Sequence, residues 1–465
     1  MTDRVATQAR GASTRPGVIL ALMCAGMFLV LLDVTAVNVA LPDIGHAFGG
    51  GVAGLQWVVD GYAVAIASLL LAGGTVGDRL GHRRVVLAGF AVFGLASIGC
   101  AVAPGTATLV GARVVQGVGA AMLLPSTMAV IADAYPDRVA QARALGTWAA
   151  VSSLALPAGP LLGGLLVSAS SWRLVFWINV PVVVGVGAGV WRLVSDGRER
   201  RAGPFDVGGT VAFALALASF VLAVIEAGHD GNGLIVAGAA VLAVAATVIG
   251  VAIERRAVDP MLPLDLLRTR AFFAPNTVAL IMNLTFNGTL FVITLYLQDI
   301  RGLSPLLAGV TVLPLAIPLV LLAPVSGRLT AARGPRTAVA IGCLLAAPAG
   351  LLLFLIEARG AVGWVSVPLA VLGCGAGFVT TSVVAAAVRA TPSERSGLAT
   401  GISNTARQTG TASGVAIFGA VAGSTQDPSR FVAHLHLLGL VTTGGWLLAL
   451  VLALAGIAGM PRRPS

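Results

Sequence analysis

The sequence predicts an all-α membrane protein of fourteen transmembrane helices, and three observations carry that expectation. Apolar stretches recur along the chain, each near the roughly 20 residues that cross a hydrocarbon core as a helix. Residues are 57% hydrophobic and only 10% charged, whereas a soluble domain carries about 25% charged residues. Arginines gather in every second connection between the stretches, so the pattern states topology as well as location. Lipid is therefore the solvent against which each element is read.

The stretches run 18–40, 54–76, 84–103, 107–132, 142–167 and 173–192, then 207–226 and 233–253. Six more follow at 272–297, 305–327, 337–356, 362–388, 397–423 and 434–458. The first comes after a polar N-terminus with three arginines; it is too long for a signal-peptide core and lacks a convincing cleavage site, so it reads as a span. Gly and Pro are frequent inside the stretches, which membrane helices tolerate through close packing and neighbouring helices. Arg79, Arg83 and Arg84 follow the second stretch, Arg138 and Arg143 the fourth, and Arg192, Arg198, Arg200 and Arg201 the sixth. The later even connections and both chain ends repeat this, while the opposite connections hold only Arg173, Arg301, Arg359 and Arg430. The positive-inside rule then places both termini in the cytoplasm of a multi-pass plasma membrane protein and requires an even number of spans.

All 29 basic residues are arginine, which effectively never releases its proton. Any proton carrier is then a carboxylate or one of the five histidines. The net charge of +10 does not point to nucleic acid, because the arginines sit in short connections rather than on one face of a domain. The four cysteines have neither metal-ligand spacing nor a disulfide pattern and read as small packing residues. No phosphate-binding Gly-Lys-Ser/Thr loop, nucleophile–base pair or metal cluster stands out, so the expectation is no ATP, no cofactor, no metal and no enzyme.

An internal repeat organises the chain. Gly74, Gly81 and Arg83 after the second stretch recur as Gly327, Gly334 and Arg336 after the tenth, all at one offset of 253 residues. A parallel repeat of six-span halves gives that offset if two further spans intervene. The expected domains are 1–195 and 257–465 as the two six-helix halves, with 196–256 as the inserted pair. In the second loop Ala331 and Ala332 replace Asp78 and Arg79, so the second half cannot reproduce whatever that charge pair does.

These segments carry a family resemblance over essentially the whole chain. Gly74-Thr75-Val76-Gly77-Asp78-Arg79-Leu80-Gly81-His82-Arg83 resembles the loop between helices 2 and 3 of the major facilitator superfamily. Leu32-Asp33-Val34-Thr35-Ala36-Val37-Asn38-Val39-Ala40-Leu41-Pro42 is similar to the helix 1 signature of its fourteen-span drug:proton antiporters. Arg113-Val114-Val115-Gln116-Gly117-Val118-Gly119 resembles their helix 4 motif, and Gly159-Pro160-Leu161-Leu162-Gly163-Gly164 their helix 5 antiporter motif. Trp172-Arg173, Ile178-Asn179-Val180-Pro181, Tyr296-Leu297-Gln298 and Leu313-Pro314 also fit. The resemblance implies the major facilitator fold and a monomer that exports small amphipathic molecules, drugs or antibiotics, in exchange for protons by alternating access. A dedicated metabolite exporter or symporter of the same fold, and a membrane sensor that no longer transports, stay as alternatives.

Asp33 lies deep in the first span, where a carboxylate is costly and should face the bundle interior or water. Proton or cation handling is one reading of it, and a packing role through hydrogen bonds is the other. Asp60, in the outer part of the second span, is a second carboxylate for that role, or else reaches toward the interface. Arg113 and Gln116 fall on one helical stripe; by resemblance Arg113 belongs to proton coupling, and an ion pair that only fixes helix position is the rival. Asn38, Gln116, Asn283, Asn287, Asn404, Arg407 and Gln408 are candidates to line a substrate path, against simple interhelical hydrogen bonding. Gly74, Asp78, Arg79, Gly81, Arg83 and Asp133 form a candidate latch at one membrane face, with Arg79 pairing Asp133. A loop that merely orients the chain is the alternative there. Gly159, Pro160, Gly163 and Gly164 make the fifth span a bent, closely packed helix.

Overall fold

The computed structural model describes residues 16–49, 51–135, 137–195, 207–227, 233–256, 264–391 and 396–457. All of its regular elements there are helical. The first bundle contains α1 (Pro16–Phe48), α2 (Val52–Leu80), α3 (His82–Ala101), α4 (Thr106–Ala134), α5 (Arg138–Ala169) and α6 (Asn179–Leu193). The hairpin α7 (Val207–Ala227) and α8 (Gly233–Arg256) follows. The second bundle contains α9 (Arg270–Leu295), α10 (Pro305–Arg333), α11 (Pro335–Leu352), α12 (Ser366–Arg389), α13 (Ser396–Ala422) and α14 (Pro428–Gly456). A π-helical turn, Tyr296–Ile300, extends α9.

Local chemistry sets several helix ends. Asp137 accepts from the Ala140 backbone N–H at the start of α5, and Asp427 accepts from Ser429 and Arg430 at the start of α14. Ser304 caps α10 through Leu307 with Pro305 in the first turn, where the missing proline N–H has no helical partner to lose. The two repeated loops turn in the same way. Gly81 ends α2 at φ 93° and Gly334 ends α10 at φ 85°, both in the region that favours glycine. The 253-residue offset therefore joins two turns of one geometry.

Twelve stretches among the described residues are long and apolar enough to cross a membrane, rather than the fourteen expected. The two long helices outside that set are α5 and α13. Within α5 the apolar helix that qualifies is the shorter Pro157–Ala169, and part of the helix before Pro157 falls outside the described side chains. Along α13, Ser403, Asn404, Thr405, Arg407, Gln408 and Thr411 dilute the apolar residues, so its length satisfies the span condition and its composition does not.

Packing follows the repeat. In the first bundle α2 and α3 pack on α4, and α1 packs on α5; in the second, α10 and α11 pack on α12, and α9 on α13. The two most extensive contacts between the bundles are α2 against α13, and α5 against α10. The inserted helix α7 lies along the first of these seams. Its Leu217, Val221 and Ile225 cluster with Ala63, Val64 and Ala67 of α2 and Ala412 and Ala416 of α13. By contrast α8 packs mainly on α7 and leaves Leu234, Val241, Val244 and Val248 exposed, the composition of a lipid-facing helix.

Candidate functional site

The centre of the first bundle holds a closed polar network on four helices. Asp33 of α1, Ser97 of α3, Arg113 and Gln116 of α4 and Asn179 of α6 are each about fully buried, at 1% exposure or less. Arg113 Nη1 donates to Asp33 Oδ2 at 2.5 Å and to Gln116 Oε1 at 2.7 Å. Gln116 Nε2 and Asn179 Nδ2 donate to Asp33 Oδ1 at 3.0 and 2.9 Å. Both amides also reach the Ser97 hydroxyl, which donates to the Phe93 carbonyl at 2.8 Å. Arg113 Nε donates to the Val58 carbonyl of α2, and its guanidinium lies 4.2 Å from the Tyr62 ring centroid. Both charges thus have opposite charge and hydrogen bonds around them, which is what a buried ion pair requires.

Asp60 is different. It sits on the face of α2 away from Tyr62, on one helical stripe with Trp57, Val64 and Ala67, toward α13 and α7. It is fully buried, and neither carboxylate oxygen has a hydrogen-bond partner among the described residues. Its full burial keeps it inside the helix packing.

The substrate-path candidates divide. Gln116 belongs to the ion-pair network rather than to an open wall. Asn38 is buried and bonds back to the Val34 carbonyl of its own helix. Asn283 bonds back to Ala279, while Asn287 bonds Asn283 and also crosses to Thr411 of α13 at 3.1 Å. Asn404, Arg407 and Gln408 are half-buried on α13.

The antiporter motif of α5 touches both bundles. Gly159 and Gly163 lie against Thr35 and Ala36 of α1, and Gly164 lies against the backbone of Pro305 and Leu306 of α10. The Pro160 carbonyl abuts Gly309. A side chain at any of these glycines would meet backbone or Thr35, so the small residues set the interhelical distance.

At the arginine-rich face, Arg83 donates to the Trp191 carbonyl at 2.7 Å and ties α3 to the end of α6. Gly74 packs near Pro125, and Gly81 makes the turn. Arg79 is half-buried. The pairing of Arg79 with Asp133 is not formed among the described ion pairs, and Asp133 is exposed. The side chain of Asp78 lies outside the described residues.

The hydrogen bonds described between the bundles cluster at the opposite, arginine-poor face. Gln56 of α2 donates to the Val415 and Ala416 carbonyls of α13 at 3.1 and 2.8 Å. Gln298, in the π-turn, donates to the Val39 carbonyl of α1 at 2.8 Å. His46 lies 3.9 Å from Asp299. The conformation is therefore one in which the halves meet at the arginine-poor face. Among the described residues no group of three or more His, Cys, Asp or Glu side chains converges to hold a metal.

Sequence reasoning missed Ser97, Tyr62 and the role of Asn179. The available signal was a polar residue isolated in a long apolar run, the same signal that marked Asp33.

Two helical bundles meet at the arginine-poor face, with a buried ion pair inside one of them. The chain belongs to the Major Facilitator Superfamily, whose family profile matches residues 23–415. Multidrug resistance protein Stp of Mycobacterium tuberculosis (strain CDC 1551 / Oshkosh) is 34% identical over 401 residues, 85% of this chain and 74% of its own. Methylenomycin A resistance protein of Streptomyces coelicolor is 35% identical over 413 residues, 88% of this chain and 86% of its own. Lincomycin resistance protein of Streptomyces lincolnensis is 32% identical, with 96% and 94% covered. The crystal structure of the human organic anion transporter MFSD10 (TETRAN) aligns with TM-score 0.67 at 16% identity, over 94% of this chain and 99% of that one. That likeness shows the shared fold.

Proposed function

We propose that this protein is a proton-coupled antiporter that exports small amphipathic molecules, drugs or antibiotics, by alternating access. The chain then has fourteen spans, with α5 and the polar-lined α13 crossing the membrane. It takes 1–195 and 257–465 as the moving halves and 196–256 as the inserted pair. The arginine-rich face is cytoplasmic with both termini on that side, and the protein works as a monomer. The relatives' names, which speak of multidrug, methylenomycin A and lincomycin resistance, support export of small organic molecules.

One observation carries the coupling: Asp60 is buried where α2 meets α13, with no hydrogen-bond partner among the described residues. A carboxylate with no cation or donor beside it can become neutral by carrying a proton. Because it lies in a seam between the halves, a change in their contact changes its surroundings. Asp33, held by Arg113, Gln116 and Asn179, is the second carboxylate of the coupling pathway, and Arg113 is the cation that any proton arriving there must displace. Closure at the arginine-poor face supports a cycle in which this state opens toward the cytoplasm. Arg83, Gly74, Gly81, Asp78, Arg79 and Asp133 act in the opposite state, when the arginine-rich ends come together.

The test uses proteoliposomes loaded with a pH-sensitive dye. Adding ethidium to the wild type moves protons across the membrane against the substrate, and Asp60→Asn is expected to abolish that proton movement. Substrate-dependent proton movement at the wild-type rate in Asp60→Asn would remove this residue from the coupling.

A further inference from the structure

Arg113 and Arg407 are the two arginines that the sequence places within spans rather than in connections. They are treated oppositely by the fold. Arg113 is matched by Asp33, Gln116 and the Val58 carbonyl. Arg407, eleven residues into α13, has no ion pair and no hydrogen bond to its guanidinium among the described residues. Its Nε is buried and unsatisfied. Its backbone carbonyl alone is engaged, accepting from the Thr411 hydroxyl.

The surroundings are polar but, among the described residues, no acid pairs with it. One turn along α13, Thr411 accepts from Asn287 of α9 at 3.1 Å. Gly410 presses against the Leu280 carbonyl of α9, so the two helices touch beside Arg407. Asn404 and Gln408 flank it on α13 and are half-buried. Neither carboxylate of the neighbouring spans pairs with Arg407 among the described residues. Asp33 belongs to Arg113, and Asp60 lies nearer the arginine-poor face, on the stretch of α2 that packs against Ala412 and Ala416.

A guanidinium keeps its charge at any working pH. It is weakly hydrated for a cation, and its planar fork matches a carboxylate through two parallel hydrogen bonds. An unmatched one inside a membrane protein, one helical turn from Asn404 and from the Asn287–Thr411 hydrogen bond, is a half-built anion site. We propose that Arg407 recognises the acid group of the substrate, with Asn287, Asn404 and Gln408 beside it. The exporter would then take amphipathic acids, molecules with one carboxylate or similar oxyanion on an apolar body. This rests on the transport reading above and narrows it, since Asp33 and Asp60 taken alone would favour cationic substrates.

The test is binding by titration calorimetry to the full-length protein in detergent, with no gradient imposed. The probes are naphthalene-2-carboxylate, its neutral methyl ester, and acetate as an anion without an apolar body. The wild type should bind the acid about tenfold or more tightly than the ester, with acetate weakest. Arg407→Gln should lose the difference between acid and ester, and Arg407→Lys, which keeps the charge, should retain most of it. Equal binding of acid and ester by the wild type overturns the proposal, as does an undiminished preference in Arg407→Gln or absence of acid binding. Acetate binding as tightly as the aromatic acid also overturns it, because the site would then be a simple anion site. Gradient-driven flux in vesicles is read separately. Acid preference without flux removes the export reading alone, and flux without acid preference removes the Arg407 assignment alone.

Discussion

Arg113→Leu is expected to abolish substrate flux and to destabilise the protein by about 3–5 kcal/mol, the usual cost of leaving one member of a buried ion pair alone. The substitution removes the cation 2.5 Å from Asp33 and leaves that carboxylate to Gln116 and Asn179. It also frees the Val58 carbonyl and the face of Tyr62. Most of the loss comes from the orphaned Asp33 charge, so Asp33→Asn in the same chain should restore much of the stability. It should not restore flux, because the Asp33–Arg113 pair of the coupling pathway is then gone. Thermal melting in detergent, run on the two single variants and the double variant, separates these terms. Additive losses in the double variant would mean that the two residues do not act as a pair.

Gly164→Leu is expected to break the cycle at a different point. Gly164 meets the backbone of Pro305 and Leu306, at the start of α10, and backbone does not yield as a side-chain tip does. Overpacking of this kind costs about 1–3 kcal/mol, enough to shift a two-state balance roughly 5–150-fold. The penalty falls on the conformation closed at the arginine-poor face, because that is where α5 and α10 meet. The variant should spend more time open there and transport slowly. In a chain with its four native cysteines replaced, Val39→Cys reports this directly. Val39 is buried, and its carbonyl accepts from Gln298 in the closed state. Maleimide should label it faster when Gly164 is Leu. Gly185→Leu, at a glycine with nothing within 4 Å of its Cβ position, should leave labelling unchanged. Equal labelling in all three chains would contradict the closing role of α5.

Hydropathy and arginine placement made the helices legible because the bilayer imposes a length and a polarity that each stretch must meet. The repeat was legible at Gly81 and Gly334, where a positive φ demands the same residue twice. The count was less so: α13 has the length of a span but carries Arg407 and its polar neighbours, so hydropathy alone does not settle it. At the site, a carboxylate and an arginine deep in apolar runs were visible as anomalies. Their partners were not, because Asp33 and Arg113 are 80 residues apart and Asp33 and Asn179 are 146 apart. Stripe reasoning works within one helix and says nothing about which helix lies opposite. The same gap explains Gln116, read as substrate path yet bound into the ion pair. It also explains Arg79 and Asp133, which lie on different helices and form no ion pair among the described residues.

The central claim is that substrate movement is driven by proton movement. The most direct measurement reconstitutes the protein in vesicles and follows flux of ethidium and, separately, of naphthalene-2-carboxylate under a pH gradient imposed in either direction. Antiport predicts that net flux runs against the proton gradient, reverses when the gradient is inverted, and collapses in Asp60→Asn. Flux that keeps the same direction and rate whichever way the gradient points would contradict the account.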